Sequence, residues 1–191
     1  MKKNKKNFFT RYENGHKAIG IIFCVLFWDI FAKVITDGLS VEVWPGFFNF
    51  VSVHNTGGAW SILNQHTWLL IVLTFIFLVV FLIFNYFFKQ KTMLYVIGFS
   101  LVFGGAIGNL IDRLFLGYVR DFISLDFISN FPVFNIADMC LCAGVIILCV
   151  FFLFVTPQLN KKTIKLNKNF KISKAIKLYK KGSLWFLKLK A

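Results

Sequence analysis

"FNIADMCLCAGVIILCVFFLF" occupies residues Phe134–Phe154, and its reading decides the fold. After Asp138 come 18 uncharged residues, Met139–Thr156, close to the roughly 20 mainly apolar residues that let an α-helix cross a bilayer. The approach to this segment reads as a helix start. Pro132 favours an extended lead-in, Asn135 suits a cap, and a carboxylate in the first turn complements the helix dipole. Capping therefore accounts for Asp138 on local grounds.

Working outward, three more segments have spanning length: Ala18–Thr36, Thr67–Phe88, which carries no charge, and Thr92–Ile111. The fourth starts near Asp138 and ends before Pro157. The 191 residues are 58% hydrophobic with a mean hydropathy of +0.70, more apolar surface than a soluble domain of this size can bury. Between the first two spans, "FFNFVSVHNTGGAWSIL" (Phe47–Leu63) alternates Phe and Val as a strand does. The expected fold is an all-α membrane protein: four transmembrane helices with a small extracytoplasmic β-rich loop region. The expected organisation is a basic cytoplasmic N-terminus (1–17), a four-helix transmembrane domain (18–156) and a basic cytoplasmic tail (157–191).

Net charge is +14, which in a soluble protein would suggest nucleic acid. Here the placement of charge argues instead for topology. Residues 1–17, the 89–91 turn and the chain after Pro157 hold 19 of the 22 Lys and Arg, leaving Lys33, Arg113 and Arg120. Of the eight acids only Glu13 lies on that basic side. Lysine and arginine mark cytoplasmic loops, so both termini are expected in the cytoplasm and the loops 37–66 and 112–137 outside. "MKKNKK" before an apolar run resembles a signal peptide. The run exceeds the usual ~7–15-residue apolar region, contains Asp29 and Lys33, and lacks an A-x-A-like exit. An uncleaved first span is expected.

Cys24, Cys140, Cys142 and Cys149 all fall in spans and read as buried, inert thiols. His16, His54 and His66 are scattered without ligand spacing. No metal or cofactor is expected.

Ionisable groups in spans are costly and mark sites. Asp29 and Lys33 lie four apart on the first helix, a spacing for an intrahelical ion pair that does no more than neutralise itself, or that serves a site. Gly104 and Gly108 have the spacing that lets helix backbones approach closely, and Gly104 reads as packing. Asn109 and Asp112 share a face, while Arg113 points elsewhere, toward an external carboxylate or a lipid headgroup. Asn55, Asn109, Asp112, Asp121, Asn135 and Asp138 all map to the outer interface. Asp121 and Asp138 flank a short loop, and if they converge they can share one proton, because like charges that close resist joint ionisation. One then activates water while the other protonates a carbonyl oxygen or leaving amine. That is aspartic hydrolysis.

"NTGGAW" (Asn55–Trp60), "GNLIDR" (Gly108–Arg113), "VRDFI" (Val119–Ile123), "FNIAD" (Phe134–Asp138) and "WDIFAK" (Trp28–Lys33) together resemble the lipoprotein signal peptidase (signal peptidase II) family, in the family's order over roughly residues 18–156. Gly58 and Trp60 stand where Ala and Phe are common in that family. The resemblance implies an intramembrane aspartic endopeptidase of the bacterial cytoplasmic membrane. Its substrate would be a prolipoprotein whose cysteine carries a diacylglyceryl group, cut just before that cysteine. It implies a catalytic pair of Asp121 and Asp138, with Asn55, Gly108, Asn109, Asp112, Arg113, Asn135 and Ala137 supporting the pair or binding substrate, and a structural role for Asp29 and Lys33. Membrane lipid is the other expected partner, nucleic acid is not one, and a monomer is expected. The tail, with eleven Lys and no acid, extends past the family's usual end. Ile172, Ile176 and Tyr179 recur there at helical spacing, which suits an amphipathic helix on anionic lipid or a solvated segment.

Two other classes compete. A small ion- or proton-coupled transporter would place polar groups at mid-membrane depth in several helices, with an internal repeat; the second span has no charge and no repeat is visible. A non-catalytic scaffold would not need both Asp121 and Asp138.

Overall fold

A computed structural model describes residues 2–58, 60, 62–88, 92–162, 164–166 and 173, with side chains from Asn14 onward. The helices are α1 (Lys2–Thr36), α2 (Thr67–Phe87), α3 (Met93–Phe115) and α4 (Ile136–Val150); the strands are β1 (Val41–Trp44), β2 (Phe48–Asn55) and β3 (Val119–Leu125). Among the described residues, four helical segments are long and apolar enough to cross a membrane: Asn14–Thr36, Thr67–Phe87, Met93–Phe115 and Ile136–Leu166. These overlie the four expected spans, although α1 begins well before Ala18, at Lys2, and the fourth segment runs on through Pro157 to Leu166 instead of ending before it. The 89–91 turn and the tail positions Ile172, Ile176 and Tyr179 lie outside the described residues.

The chain divides into two compact units, Met1–Cys149 and Val150–Ala191. In the first, α3 is the hub: 13 of its 23 residues are buried, whereas Leu78 is the buried residue of α2. Sequence explains this division. The outer face of α2 is Trp, Phe, Val and Ile, as a lipid-facing helix should be, while α3 carries the small residues that let neighbours approach. A Cβ on Gly104 would stand 3.1 Å from Val25 of α1, which confirms its expected packing role. The thiols depart from expectation: Cys24, Cys142 and Cys149 are free and exposed on the outer helix faces, and Cys140 is half-buried. In a chain this apolar, a cysteine need not point inward to leave water.

The sheet is antiparallel in the order β1–β2–β3. Phe50 pairs with Ile123, but the next pairs are Val53 with Asp121 and Asn55 with Val119, so β2 carries one extra residue between Phe50 and Val53. Such a bulge re-aims the side chains beyond it.

The second unit opens with a π-helical turn, Phe151–Val155, and the Thr156 hydroxyl donates to the Phe151 carbonyl at 3.2 Å. Pro157 gives the reason, since its ring cannot supply an N–H to the preceding turn and crowds a carbonyl there.

Candidate active site

The bulge decides which face of β2 meets Asp121. Side chains alternate along a strand, so an unbulged register would bring His54 to the Asp121 face. With the extra residue Asn55 arrives there instead, and its Nδ2 donates to Asp121 Oδ2 at 2.8 Å. Asn55 Oδ1 in turn accepts the Gly57 N–H at 2.9 Å, an Asx-type turn that holds the amide in place.

The other side of Asp121 is set by the chain returning to the membrane. Phe134 bridges to β3, donating to the Ile123 carbonyl at 3.1 Å and accepting from the N–H groups of Phe122 (3.1 Å) and Ile123 (2.9 Å). Asn135 is thereby placed beside Asp121, and its Nδ2 donates to Asp121 Oδ1 at 2.6 Å and to Asn109 Oδ1 at 3.1 Å. Asn135 also caps α4 reciprocally: its Oδ1 accepts the Asp138 N–H at 3.0 Å, and Asp138 Oδ2 accepts the Asn135 N–H at 3.2 Å. This is a capping box with Asp in the usual Glu position. The local reading of Asp138 as a capping acid is correct, and the same contacts bring it to the residue that holds Asp121.

Asp121 is 3% exposed and Asp138 is partly exposed. Burial pushes the Asp121 carboxyl up to about 6; the Asn55 bond opposes that rise, the Asp138 charge adds to it, and the Asn135 bond and the Lys33 charge oppose it. Asp138 Oδ1 accepts from Asn109 Nδ2 at 2.7 Å.

Asn109 and Asp112 do share one polar cluster, as their spacing predicts. Lys33 Nζ reaches both, donating to Asn109 Oδ1 at 3.0 Å and standing 3.4 Å from Asp112 Oδ2. It also pairs with Asp29 Oδ2 at 2.8 Å, while Asp29 Oδ1 accepts the Ala137 N–H at 2.8 Å. The Asp29–Lys33 pair is thus fully buried and tied to α3 and α4, not a self-contained neutral pair. Gly108 admits it: a Cβ there would lie 2.7 Å from Asp29 Oδ2 and 3.3 Å from Ala137 Cβ.

Two placements add to the sequence reading. Arg113 donates through Nη2 to the Gly57 carbonyl at 3.0 Å, because the turn after β2 folds over the end of α3, and it lies within electrostatic reach of Asp121 and Asp138. Arg120, which sequence reasoning passed over, clasps Asp112 through Nη2 (2.8 Å), Nε (3.3 Å) and its backbone N–H (3.1 Å). Its signal was available: it is one of three basic residues away from the basic side, and it directly precedes Asp121. Asp126 stays apart from the cluster and accepts from Asn49 and Ser124. The charged and amide groups of this cluster thus gather toward the end of α3 and the start of α4.

A family model described as Signal peptidase (SPase) II matches residues 21–154. The lipoprotein signal peptidase of Enterococcus faecalis is 44% identical over 138 residues, covering 71% of this chain and 80% of that protein. That of Staphylococcus aureus is 34% identical over 160 residues, covering 81% and 98%. A solved bacterial membrane enzyme superposes with a TM-score of 0.67 at 37% identity, over 72% of this chain and 88% of that one.

Proposed function

The chain belongs to the signal peptidase II family, and on that premise we propose that Asp121 and Asp138 are the aspartic pair with which it works. The protein is a membrane peptidase that removes signal peptides from prolipoproteins. The observation that carries the assignment is Asn135: one buried side chain donates to Asp121 while its backbone N–H and side-chain oxygen lock Asp138.

The chemistry follows from these contacts. Asp121, whose proton burial retains to higher pH than in a free aspartate, gives that proton to the scissile carbonyl oxygen as water attacks the carbon. Asp138, whose two oxygens accept N–H donors, takes the proton that water loses. The tetrahedral diol then collapses. Asp121 recovers a proton from one hydroxyl, Asp138 returns its proton to the departing nitrogen, and the C–N bond breaks. A peptide bond and a water give a carboxylic acid and an amine, with the pair restored. We further propose that the bond cut precedes a diacylglyceryl-modified cysteine, that the pair works at the outer interface of the bacterial cytoplasmic membrane, and that both termini are cytoplasmic.

The test is a gel-shift cleavage assay with purified protein and a diacylglyceryl-modified prolipoprotein. Asp121→Asn and Asp138→Asn should each lose about 10³-fold or more in rate while remaining folded in detergent, and Asp126→Asn should cleave like the parent. Activity in Asp138→Asn would return that residue to capping alone. An inactive Asp126→Asn beside an active Asp121→Asn would overturn the choice of pair.

A further inference from the structure

Lys33 has no part in the proton transfers above, yet it is 0% exposed and touches groups on two helices. A buried ammonium is tolerable only if its N–H donors are matched. Here Asp29 Oδ2 pairs with its charge at 2.8 Å, Asn109 Oδ1 accepts its hydrogen bond at 3.0 Å and Asp112 Oδ2 stands 3.4 Å away. The first lies on its own helix and would suffice for neutrality. The other two lead to the aspartate pair by separate routes.

The first route is an amide orientation. Asn109 Oδ1 accepts from both Lys33 Nζ and Asn135 Nδ2, so its NH₂ group must face the other way, where it donates to Asp138 Oδ1 at 2.7 Å. A flipped amide would set two donors against an ammonium and a carbonyl oxygen against a carboxylate. The second route runs through Asp112, which also receives the Arg120 guanidinium and backbone N–H. Arg120 is the residue before Asp121, so that carboxylate fixes the start of β3 against α3.

We propose that Lys33 is a positioning residue for the aspartate pair, its ammonium fixing the Asn109 amide that holds Asp138 and, through Asp112 and Arg120, the strand end that carries Asp121. This inference rests on the assignment of Asp121 and Asp138 as the working pair. It gives the helix-one lysine a part in the reaction geometry rather than in neutralisation alone. The charged groups around it are Asp29 on α1, Asp112 and Arg113 on α3, Arg120 and Asp121 on β3 and Asp138 on α4; among these, Arg113 lies within electrostatic reach of Asp112, Asp121 and Asp138. The positive charge of Lys33 also favours the ionised form of Asp121.

Removing Lys33 alone leaves two buried carboxylates short of a partner and risks the fold. The informative variants are therefore the double change Asp29→Asn with Lys33→Met, which deletes both charges of the pair, and Lys33→Arg, which keeps the charge but not the compact geometry. Each is purified in detergent, its thermal unfolding recorded, and kcat and KM measured from pH 4.5 to 8.5. In the folded double variant kcat should fall about 100-fold, the scale of a misplaced reacting group, with KM nearly unchanged. The alkaline limb of its kcat/KM profile should move to higher pH, because Asp121 has lost a neighbouring cation. Lys33→Arg should keep that limb in place and still lose kcat. A folded double variant with parental kcat and an unmoved limb overturns the proposal, as does a rise in KM alone. If Asp121→Asn and Asp138→Asn cleave normally, the pair assignment itself has failed. If they are dead while both Lys33 variants behave like the parent, only the role of Lys33 has.

Discussion

Asn135 is where local and long-range structure coincide. The sequence offered two readings of Asp138, a capping acid and half of a hydrolytic pair, and nothing within residues 134–154 could separate them. The capping contacts are present, and the cap donates its amide hydrogens away from its own helix, to Asp121 and Asn109, which is the geometry the proposed pair needs. The residue types of the site were legible, since an Asn or Asp in an apolar chain is conspicuous. Their partners were not, because an asparagine's hydrogen bonds depend on which strand register brings which neighbour. A pH prediction belongs at this scale. The Asp121 carboxyl is raised from its ordinary 3.8 to about 6, so it keeps its proton to higher pH than a free aspartate does. If that proton is the one given to the substrate, kcat/KM stands at its plateau below about 6 and declines as pH rises through that value. Asn55 stabilises the ionised form, so Asn55→Ala should displace the decline to higher pH. Rate profiles of both proteins from pH 4.5 to 8.5 check this, and a parental profile flat from 5 to 8 would sink the assignment of the acid.

At the scale of elements, helices and strands differ in how far sequence carries. Four uncharged or nearly uncharged runs gave four helices, because in lipid a spanning backbone must satisfy its own hydrogen bonds. The alternation in Phe47–Leu63 gave β2 for a similar reason of periodicity. The extra residue between Phe50 and Val53 leaves no such trace, yet it delivers Asn55 instead of His54 to Asp121. Helix contacts are intermediate: the Gly104–Gly108 spacing announced close packing but not that the two glycines differ. Gly104 makes room for Val25, an apolar side chain that can shift by a few tenths of an ångström. Gly108 faces Asp29 Oδ2, whose other oxygen holds the Ala137 N–H at the start of α4. A methyl group there must displace a buried, ion-paired carboxylate. Gly108→Ala should therefore cost about 1–3 kcal/mol of stability, the range for overpacking, and lower the cleavage rate as well. Gly104→Ala should leave the rate close to parental. Thermal unfolding in detergent and single-turnover cleavage distinguish the two, and a Gly108→Ala protein with parental stability and rate would refute the argument.

The whole molecule is ordered by charge. Spans need only be counted and flanking cations added up, so an orientation can be proposed from sequence without any tertiary contact. Four spans would return the chain to its starting side, and the segments 1–17, 89–91 and 158–191 hold 19 of the 22 Lys and Arg. Each basic residue close to an anionic leaflet contributes about 1 kcal/mol, so the proposed cytoplasmic placement of these segments would be favoured by many times the thermal energy. The three exceptions are accounted for without reference to sidedness. Lys33 and Arg120 are bound to Asp112, and Arg113 to the Gly57 carbonyl, so all three are used inside the fold. A phosphatase reporter, active only outside the cytoplasm, should be active when fused after Trp44 and inactive when fused after Gln90 or at Ala191. A reporter that folds only in the cytoplasm should give the opposite pattern. Activity of the phosphatase at Ala191 would place the tail outside, and with it would invert the side on which Asp121 and Asp138 meet a translocated substrate. The proposed site and the proposed topology therefore stand or fall on one orientation: a pair at the start of β3 and the start of α4 can reach a signal peptide's cleavage point only if those ends face outward.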